Sequence, residues 1–416
     1  MATFQNSYST LGSSNNIETN YRTELVALRA AQVAGYFTVG SKAYLGDQLI
    51  GKRNGGTYGF VIRDAGEVVN DLANSGTEKD TVIERKVELS IEPWHINAKT
   101  NAVETKTDLD FDKEIAEPDG QKLINGAIKK SIAKDISCSS TCFVGEVGKF
   151  EPLSLASAHL QSITSEPLYG FVDPDIEAIV TSKGAQFVPV DAPAMYKQGL
   201  IGLFHGAQYR SQRFLKQLKI SKALADAMEG ATFASFASNT LTVTLGTAAA
   251  SATSVKAGTP FFVEGIVACD FVGDETAKPY AFIATEDIAV AQGATTVAVK
   301  VQPVDVAFGG TREACLDDGT AIDWSTFSTD AAVSMPAAGT YAVGLVRANG
   351  VFEFETLNEI DVSNADSKKG SVEGLTIFQN KVINLDLMKN HTRYDLFTIS
   401  GVVDKRGQSM VLCKLG

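Results

Sequence analysis

Residues 117–138, EPDGQKLINGAIKKSIAKDISC, carry the clearest structural signal in the chain. Ile124, Ile128, Ile132 and Ile136 recur every fourth residue, while lysines fall on the other faces of the same helical wheel: Lys122, Lys129, Lys130 and Lys134. This period predicts an amphipathic α-helix of about twenty residues, roughly 30 Å long. Because β-branched isoleucines are indifferent helix formers, the helix must be stabilised by packing along its whole length.

Helices and strands are predicted to alternate around this long helix. Helical periods indicate two further helices, at residues 17–34 and 152–165. A short apolar strand at residues 168–172 precedes Asp173 and Pro174, which are the preferred N-cap and first residue of another helix. The central part of the chain therefore favours an α/β arrangement.

A long hairpin is predicted before the long helix. Residues 57–62 and 82–91 both resemble strands, and the second alternates apolar and polar side chains. The polar segment between them, residues 63–81, is longer than an ordinary hairpin loop and carries charges of both signs. Two interpretations stay open, a solvated flap and a functional loop on a projecting hairpin.

The second half of the chain is rich in strand signals. From about residue 233 the sequence is rich in Ala, Thr and Gly, and a small barrel or sandwich is predicted from short strands at residues 240–245, 260–266, 279–285 and 295–301. Asn349 and Gly350 predict a type I′ turn in a hairpin over residues 341–356. Longer strands in residues 375–413 are expected to pack against the long helix.

Length and composition indicate a folded protein of two or three domains. The chain has 416 residues, 44% of them hydrophobic, and a formal net charge of −12. An acidic surface disfavours tight binding of nucleic acid or an anionic membrane. Five cysteines form no paired framework, which fits a reducing compartment, and we expect no secretory signal or membrane helix.

No motif points to catalysis, a metal or a cofactor. The four histidines are scattered, and Cys138 and Cys142, although able to share a helix face, have no second pair that would complete a zinc site. The segment GKRNGGT, residues 51–57, lacks the lysine that directly precedes the final Ser or Thr of a phosphate-binding loop. Two carboxylate clusters, at residues 108–114 and 173–175, lack the spacing of a calcium loop and are better explained as a solvated turn and a helix cap. We therefore predict that the protein is not an enzyme and has no catalytic, metal-binding or cofactor-binding residues.

The order of these parts resembles the major capsid protein of tailed bacteriophages, which has the HK97-like fold. Gly199, Gly202 and Gly206 in GLIGLFHGAQYRSQ resemble a glycine-spaced strand segment of these coat proteins, and HTRYDLFTISGVVDKRGQSMVLCKLG resembles their final strand pair. The β-rich insert resembles the additional barrel-like domain of coat proteins from Salmonella-type short-tailed phages.

The resemblance implies an α+β HK97-like fold with an inserted β-rich domain. Its parts would be an N-terminal arm and helix (1–40), an extended β-hairpin or E-loop (41–92), a peripheral domain with the long spine helix (93–142 and 375–416), an axial α/β domain (143–232 and 346–374) and the insert (233–345). Residues expected to contact neighbouring subunits lie on or beside the hairpin: Arg53, Arg63, Asp64, Glu67, Asp71, Glu78, Lys79 and Asp80.

The resemblance also implies a function and partners. The chain would assemble in the host cytoplasm into pentamers and hexamers of an icosahedral shell, helped by a scaffolding protein and a portal. The virion would enclose double-stranded DNA without specific binding, and no membrane is involved. Two alternatives stay open: a β-rich surface-binding module that is not an enzyme, and a metal-dependent enzyme using Asp108, Asp110, Asp112 and Glu114.

Overall fold

The protein is a mixed α+β chain dominated by strands. The computed structural model describes residues 14–42, 57–63, 84–101, 117–146, 150–184, 200–204, 206–306, 311–357, 366–372, 374–384 and 389–415. The carboxylate cluster at residues 108–114 and most of the charged hairpin residues lie outside these ranges.

Four of the described helices match the sequence predictions to within a few residues, and two short helices, at residues 35–38 and 222–228, were not predicted. In chain order the described helices are α1 (Ser14–Val33), α2 (Gly35–Thr38), α3 (Glu117–Asp135), α4 (Glu151–Ile163), α5 (Pro174–Gly184) and α6 (Lys222–Met228). The predicted cap is confirmed, because the Asp173 carboxylate accepts a hydrogen bond from the Asp175 amide at 2.9 Å, immediately before α5.

The described strands are numbered in chain order. They are β1 (Ser41–Lys42), β2 (Thr57–Arg63), β3 (Glu84–Asn101), β4 (Thr141–Glu146), β5 (Leu168–Val172), β6 (Leu200–Phe204), β7 (Ala207–Ser211), β8 (Leu218–Ile220), β9 (Thr232–Ala237), β10 (Thr240–Thr244), β11 (Thr253–Val255), β12 (Pro260–Cys269), β13 (Glu275–Ile283), β14 (Ile288–Val290), β15 (Thr296–Lys300), β16 (Ala314–Leu316), β17 (Val333–Ser334), β18 (Gly339–Ala348), β19 (Phe352–Thr356), β20 (Asp366–Val372), β21 (Leu375–Asn384), β22 (Lys389–Val402) and β23 (Gln408–Leu415).

One sheet supports the long helix. Its members are β1, β2, β3, β19, β20, β21 and β22, and the longest ladder joins β3 to β22 from Ile91 opposite Ile399 to Asn101 opposite Lys389. The long helix α3 lies against β3 and β22 and also packs on α1. The prediction that C-terminal strands support the long helix is therefore confirmed for β22.

The long helix buries the predicted apolar stripe. Ile124, Ile128 and Ile132 are at most 1% exposed, and the four predicted lysines are exposed on the other faces. Burying each isoleucine contributes about 1.5–3 kcal/mol to folding. Gly120 lets α1 approach closely, because a Cβ at this position would lie 2.4 Å from the carbonyl oxygen of Val26.

The central sheet has the strand order β4-β23-β18-β5-β7-β6, and β8 also pairs with β18. β4 is parallel to β23 and β5 is parallel to β7, while β18 is antiparallel to β5 and β23. Helix α4 packs on β4, β23 and β18. The first residues of β18, which the sequence assigned to the insert, are hydrogen-bonded into this sheet.

The strands from β9 to β17 form a β-rich unit with its own core. Its buried residues run from Leu224 to Val333 and form a hydrophobic cluster separate from the one that joins the two large sheets. Trp324 lies among four phenylalanine rings at centroid distances of 4.5–6.2 Å: Phe233, Phe236, Phe282 and Phe327. The observed β10, β12, β13 and β15 confirm the four predicted strands to within a few residues.

The predicted hairpin over residues 341–356 is wrong. β18 belongs to the central sheet, whereas β19 pairs with β22 in the sheet that carries the long helix. Gly350 has a positive φ of 80°, but Asn349 does not, so the two residues do not form a type I′ turn. The Asn349 amide instead donates to the Pro167 carbonyl oxygen at 2.8 Å. The turn joins two sheets and does not pair its flanking strands.

Charged and polar side chains connect the β-rich unit to the central sheet and to the end of the long helix. The Lys405 ammonium lies 2.7 Å from a carboxylate oxygen of Glu313, and both side chains are largely buried. Arg406 donates to the Asp270 carbonyl oxygen at 3.0 Å, and Gln302 donates to the Ser137 hydroxyl at 2.9 Å. These contacts cross between two hydrophobic cores, so they set the orientation of the unit.

Candidate functional site

β2 and the first part of β3 form a two-stranded arm. Thr57 lies opposite Ser90 and Arg63 lies opposite Glu84 in an antiparallel ladder. From Ile91 onwards β3 pairs with β22 instead. Within the described residues β2 is hydrogen-bonded only to β3. The arm therefore adds seven paired residues, about 23 Å of strand, beyond the ladder that joins β3 to the sheet.

A small hydrophobic cluster anchors the base of the arm. Leu89 is 3% exposed and packs with Ile399 and Val403. Gly401 allows this contact, because a Cβ there would lie 2.8 Å from a methyl group of Leu89. The arm is thus fixed to the body at its base by burial of apolar side chains.

Among the predicted contact residues, the structure places the backbone of Arg63 at the end of β2. The others lie outside the described residues: Arg53, Asp64, Glu67, Asp71, Glu78, Lys79 and Asp80. Their role in contacts between subunits stays a prediction. The strands that flank residues 64–83 do pair, as the sequence predicted for a hairpin.

Arg347 is a buried cation that the sequence analysis missed. It is 1% exposed, and its Nη2 donates hydrogen bonds to the carbonyl oxygens of Tyr36 and Val39. The guanidinium carbon lies 4.1–5.0 Å from three ring centroids, those of Tyr36, Phe171 and Phe352. Burial lowers the pKa of Arg347. This side chain connects α2 and the turn after it to the central sheet.

Asp135 is buried beside this cation at the last residue of α3. Its Oδ2 accepts a hydrogen bond from the Tyr36 hydroxyl at 2.8 Å, while Oδ1 has no partner among the described residues. Burial raises the pKa of Asp135 to about 7, against smaller opposing effects from Tyr36 and Arg347. Gln408 donates to the Asp135 carbonyl oxygen at 2.7 Å. Through these contacts Asp135 links the long helix, the N-terminal helices and the central sheet.

The described residues that were weighed as catalytic or metal-binding candidates lie in the core or at element ends. His159 is 4% exposed beside the Phe143 ring, and burial lowers its pKa to about 4. Cys138 lies in a short 3-10 turn and Cys142 in β4, so the two thiols do not share a helix face. Asp173 caps α5.

The described residues contain neither a cluster of metal-ligating side chains nor a membrane-spanning helix. No group of three or more His, Cys, Asp or Glu side chains is placed to hold a metal ion in these parts of the chain. Within the same ranges, no helix combines the length and the hydrophobicity needed to cross a bilayer.

No protein-family model and no curated protein matches the sequence. Among solved structures, the chain is similar to the capsid of Ralstonia phage GP4, with 8% identity, a TM-score of 0.45 and coverage of 90% of this chain and 87% of that chain. It is similar to a chain of Mycobacterium phage Che8 with 9% identity, a TM-score of 0.43 and 90% coverage of both chains. For the capsid of cyanophage P-SCSP1u the identity is 9% and the TM-score 0.42, with coverage of 88% and 85%. At such identities and TM-scores, function has to be argued from the residues of this chain.

Proposed function

We propose that this chain is a shell subunit, the major capsid protein of a tailed double-stranded DNA bacteriophage. In this proposal the chain has an HK97-like fold of the Salmonella short-tailed type, and its copies form the pentamers and hexamers of an icosahedral capsid. The function is structural and requires no cofactor.

The two-stranded arm is the observation that carries the proposal. A hairpin of only two strands is marginally stable in water, and its outer edge presents unpaired backbone groups. Within the described residues, β2 has no second strand neighbour. A neighbouring subunit would supply the surface that the arm lacks. Charged contacts at its tip are each worth roughly 0–1 kcal/mol, and many such weak contacts allow a shell to correct errors during assembly.

The segments that suggested the capsid family occupy defined places in the fold. Gly206, with a positive φ of 80°, lies at the turn between β6 and β7, which pair antiparallel at the edge of the central sheet. β22 and β23, which resemble the final strand pair, lie in different sheets and join them covalently. In the proposal, the sheet carrying α3 is the peripheral domain, the central sheet is the axial domain, and the β-rich unit is the insert. This assignment departs from the expected bounds, because β19 and β20 lie in the sheet carrying α3 and β23 lies in the central sheet.

The proposal includes the partners and location expected for such a subunit. A scaffolding protein and a portal would direct assembly in the host cytoplasm, and the finished virion would enclose the genome. The net charge of −12 supports a container that does not bind its DNA tightly, because phosphate binding requires clustered cations. The test is expression of the full chain with a scaffolding protein, followed by electron microscopy of the lysate. Closed particles are expected, and only small oligomers under every assembly condition would contradict the proposal.

Shortening the arm is expected to abolish shell formation while leaving the subunit folded. Ile62 lies opposite Arg85, so residues 63–84 can be replaced by a two-residue Asn-Gly turn without disturbing the anchored base at Leu89. The variant lacks most of the predicted contact residues. We expect no particles by electron microscopy and a small sedimentation coefficient, with an unchanged midpoint of unfolding in urea.

The control for this variant neutralises charges elsewhere on the surface. Lys222 and Asp226 form an exposed ion pair on α6, and their replacement by Gln and Asn should leave particle yield unchanged. Normal particles from the shortened-arm variant would exclude residues 63–84 as an essential contact, since that variant keeps six of the seven strand pairs of the arm.

A further inference from the structure

A groove lies between the long helix and the β-rich unit. Its walls come from α3 after Gly126 and from Ile136, which directly follows α3, from residues 214–219, and from the loop at residues 256–258. The cavity volume is about 570 Å³. A Cβ at Gly258 would lie 3.3 Å from a methyl group of Ile136, so the two walls meet closely at one end.

Lysine side chains surround the groove although the whole chain is acidic. The five lysines are Lys129, Lys130, Lys216, Lys219 and Lys256. Two have anionic partners, since Lys130 lies 3.5 Å from Glu92 and Lys256 lies 2.7 Å from Asp287. The other three form no ion pair with any residue in the described ranges. The excess of lysines over the single carboxylate among the described lining residues, Asp287, favours an occupant that supplies negative charge.

The walls between the lysines are largely apolar. They include Ile132, Ala133, Ile136, Phe214, Leu218 and Met410. Ile132, Leu218 and Met410 are buried, whereas Ala133, Ile136 and Phe214 are exposed or partly exposed. A simple anion would leave the last three side chains in contact with water. A peptide with apolar side chains on one side and carboxylates on the other would cover the apolar wall and neutralise the lysines together.

We propose that this groove binds residues 108–114 of a second copy of the chain. The segment reads DLDFDKE, with carboxylates at Asp108, Asp110, Asp112 and Glu114. In an extended peptide these four side chains point to one side, and the intervening Leu109, Phe111 and Lys113 point to the other, so the apolar part of that side is Leu109 and Phe111. Because the inference names a contact between copies, it rests on the self-association in the proposed function.

Tether length favours a second copy over the same chain. Lys129 lies twelve residues after Glu117, about 18 Å along the helix axis. Glu114 of the same chain is three residues before Glu117, and three extended residues span only about 10 Å. Glu114 of the same chain therefore falls about 8 Å short of Lys129, so the complete row of four carboxylates fits the groove of a second copy better than that of its own subunit.

Complementation between two variants tests the proposal directly. One full-length chain carries Asp108→Asn, Asp110→Asn, Asp112→Asn and Glu114→Gln, which remove the anionic segment and keep the groove. The other carries Lys129→Gln and Lys219→Gln, which weaken the groove and keep the segment. Each variant alone is expected to self-associate about tenfold more weakly than the unmodified chain in sedimentation velocity. An equimolar mixture should recover association in part, because each mixed pair contains one intact groove and one intact segment, whereas pairs of like variants do not.

The controls separate this contact from folding and from general charge. Lys122→Gln with Lys222→Gln removes the same charge from exposed lysines outside the groove and should leave self-association unchanged. All variants should unfold at the same urea concentration, and salt should weaken the recovered association by screening. A mixture that associates no better than either variant alone would overturn the proposal and point to an occupant other than a second copy.

Sedimentation velocity also tests the groove contact separately from the formation of shells. Sedimentation is measured below the concentration at which particles form, so it reports pairwise association. If the unmodified chain forms particles and the mixture fails to recover, only the groove contact is wrong. If the mixture recovers and no particles ever form, the contact stands and the shell function is wrong.

Discussion

Replacing Arg347 by alanine is expected to lower the free energy of unfolding by about 3–5 kcal/mol. The substitution leaves the carbonyl oxygens of Tyr36 and Val39 without their buried donor. It also empties a space lined by three aromatic rings and removes a cation that favours the ionised form of the buried Asp135 carboxyl. Urea denaturation of the purified subunit, followed by circular dichroism, measures the loss.

Arg213 provides a matched control for this substitution. Its guanidinium carbon lies 4.8 Å from the Phe214 ring centroid, but the side chain belongs to an exposed residue. Arg213→Ala removes the same charge and the same type of ring contact, and it should change stability by less than about 0.5 kcal/mol. Equal losses of unfolding free energy from the two substitutions would show that burial of Arg347 adds no stability.

The parts of the fold that the sequence predicted depend on local interactions. The isoleucine period of α3 is a property of consecutive turns, and the cap at Asp173 involves residues two positions apart. Polar alternation likewise identified the strand containing Leu89, although it ended the strand near residue 91 while β3 continues to Asn101. The continuation alternates Trp94 and Ile96 with His95 and Asn97, but Glu92 and Pro93 interrupt the pattern at its start. The whole strand is stabilised by pairing with β22, which lies about 300 residues later in the chain.

The predicted hairpin turn at Asn349 and Gly350 does not form, because strands distant in sequence pair with β18. The local sequence suits a tight hairpin, but β18 is held on one edge by β23 and on the other by β5 and β8. Both edges of β18 are thus occupied, so β19 pairs elsewhere. Turn propensity is a small local term, and the ladders on both sides of β18 outweigh it.

Arg347 could not be assigned a role from the sequence alone. It stands at the end of the apolar run YAVGLV, and an arginine there is compatible with an exposed strand end. Its burial depends on Tyr36, about 300 positions earlier, and on Phe171. An available signal was the apolar character on both faces of β18, which indicates a strand covered on both sides. The groove was equally hidden, because its lysines come from α3, from residues near β8 and from the β-rich unit.

Asp135→Asn is expected to stabilise the protein by about 2–4 kcal/mol at pH 8 and to flatten its stability profile between pH 4 and 7. The folded-state pKa of Asp135 is raised to about 7 from an ordinary value of 3.8, chiefly by burial. Between these values the native state binds the proton and the unfolded state does not, so the free energy of unfolding falls as pH rises. Each unit of difference in pKa corresponds to about 1.4 kcal/mol.

The charged and titratable groups around Asp135 determine how completely asparagine can replace it. Arg347 and Lys134 favour the carboxylate, while Glu92 opposes it, and the Tyr36 hydroxyl can donate equally to an amide oxygen. Asparagine therefore keeps the hydrogen bond and avoids burying a negative charge at the negative end of the α3 dipole. Urea denaturation at several pH values measures both profiles.

Asp287 supplies a control of opposite sign for this prediction. A hydrogen bond from Lys256, with a second from the Ala257 amide, lowers the pKa of Asp287, and the side chain is largely exposed. Asp287→Asn should therefore weaken the protein slightly above pH 4, where the carboxylate is paired, and should never stabilise it. Parallel pH profiles for the unmodified chain and Asp135→Asn would mean that the buried carboxyl ionises as freely in the folded state as in the unfolded chain. In that case the junction of α3, α2 and the central sheet would have to be open to water.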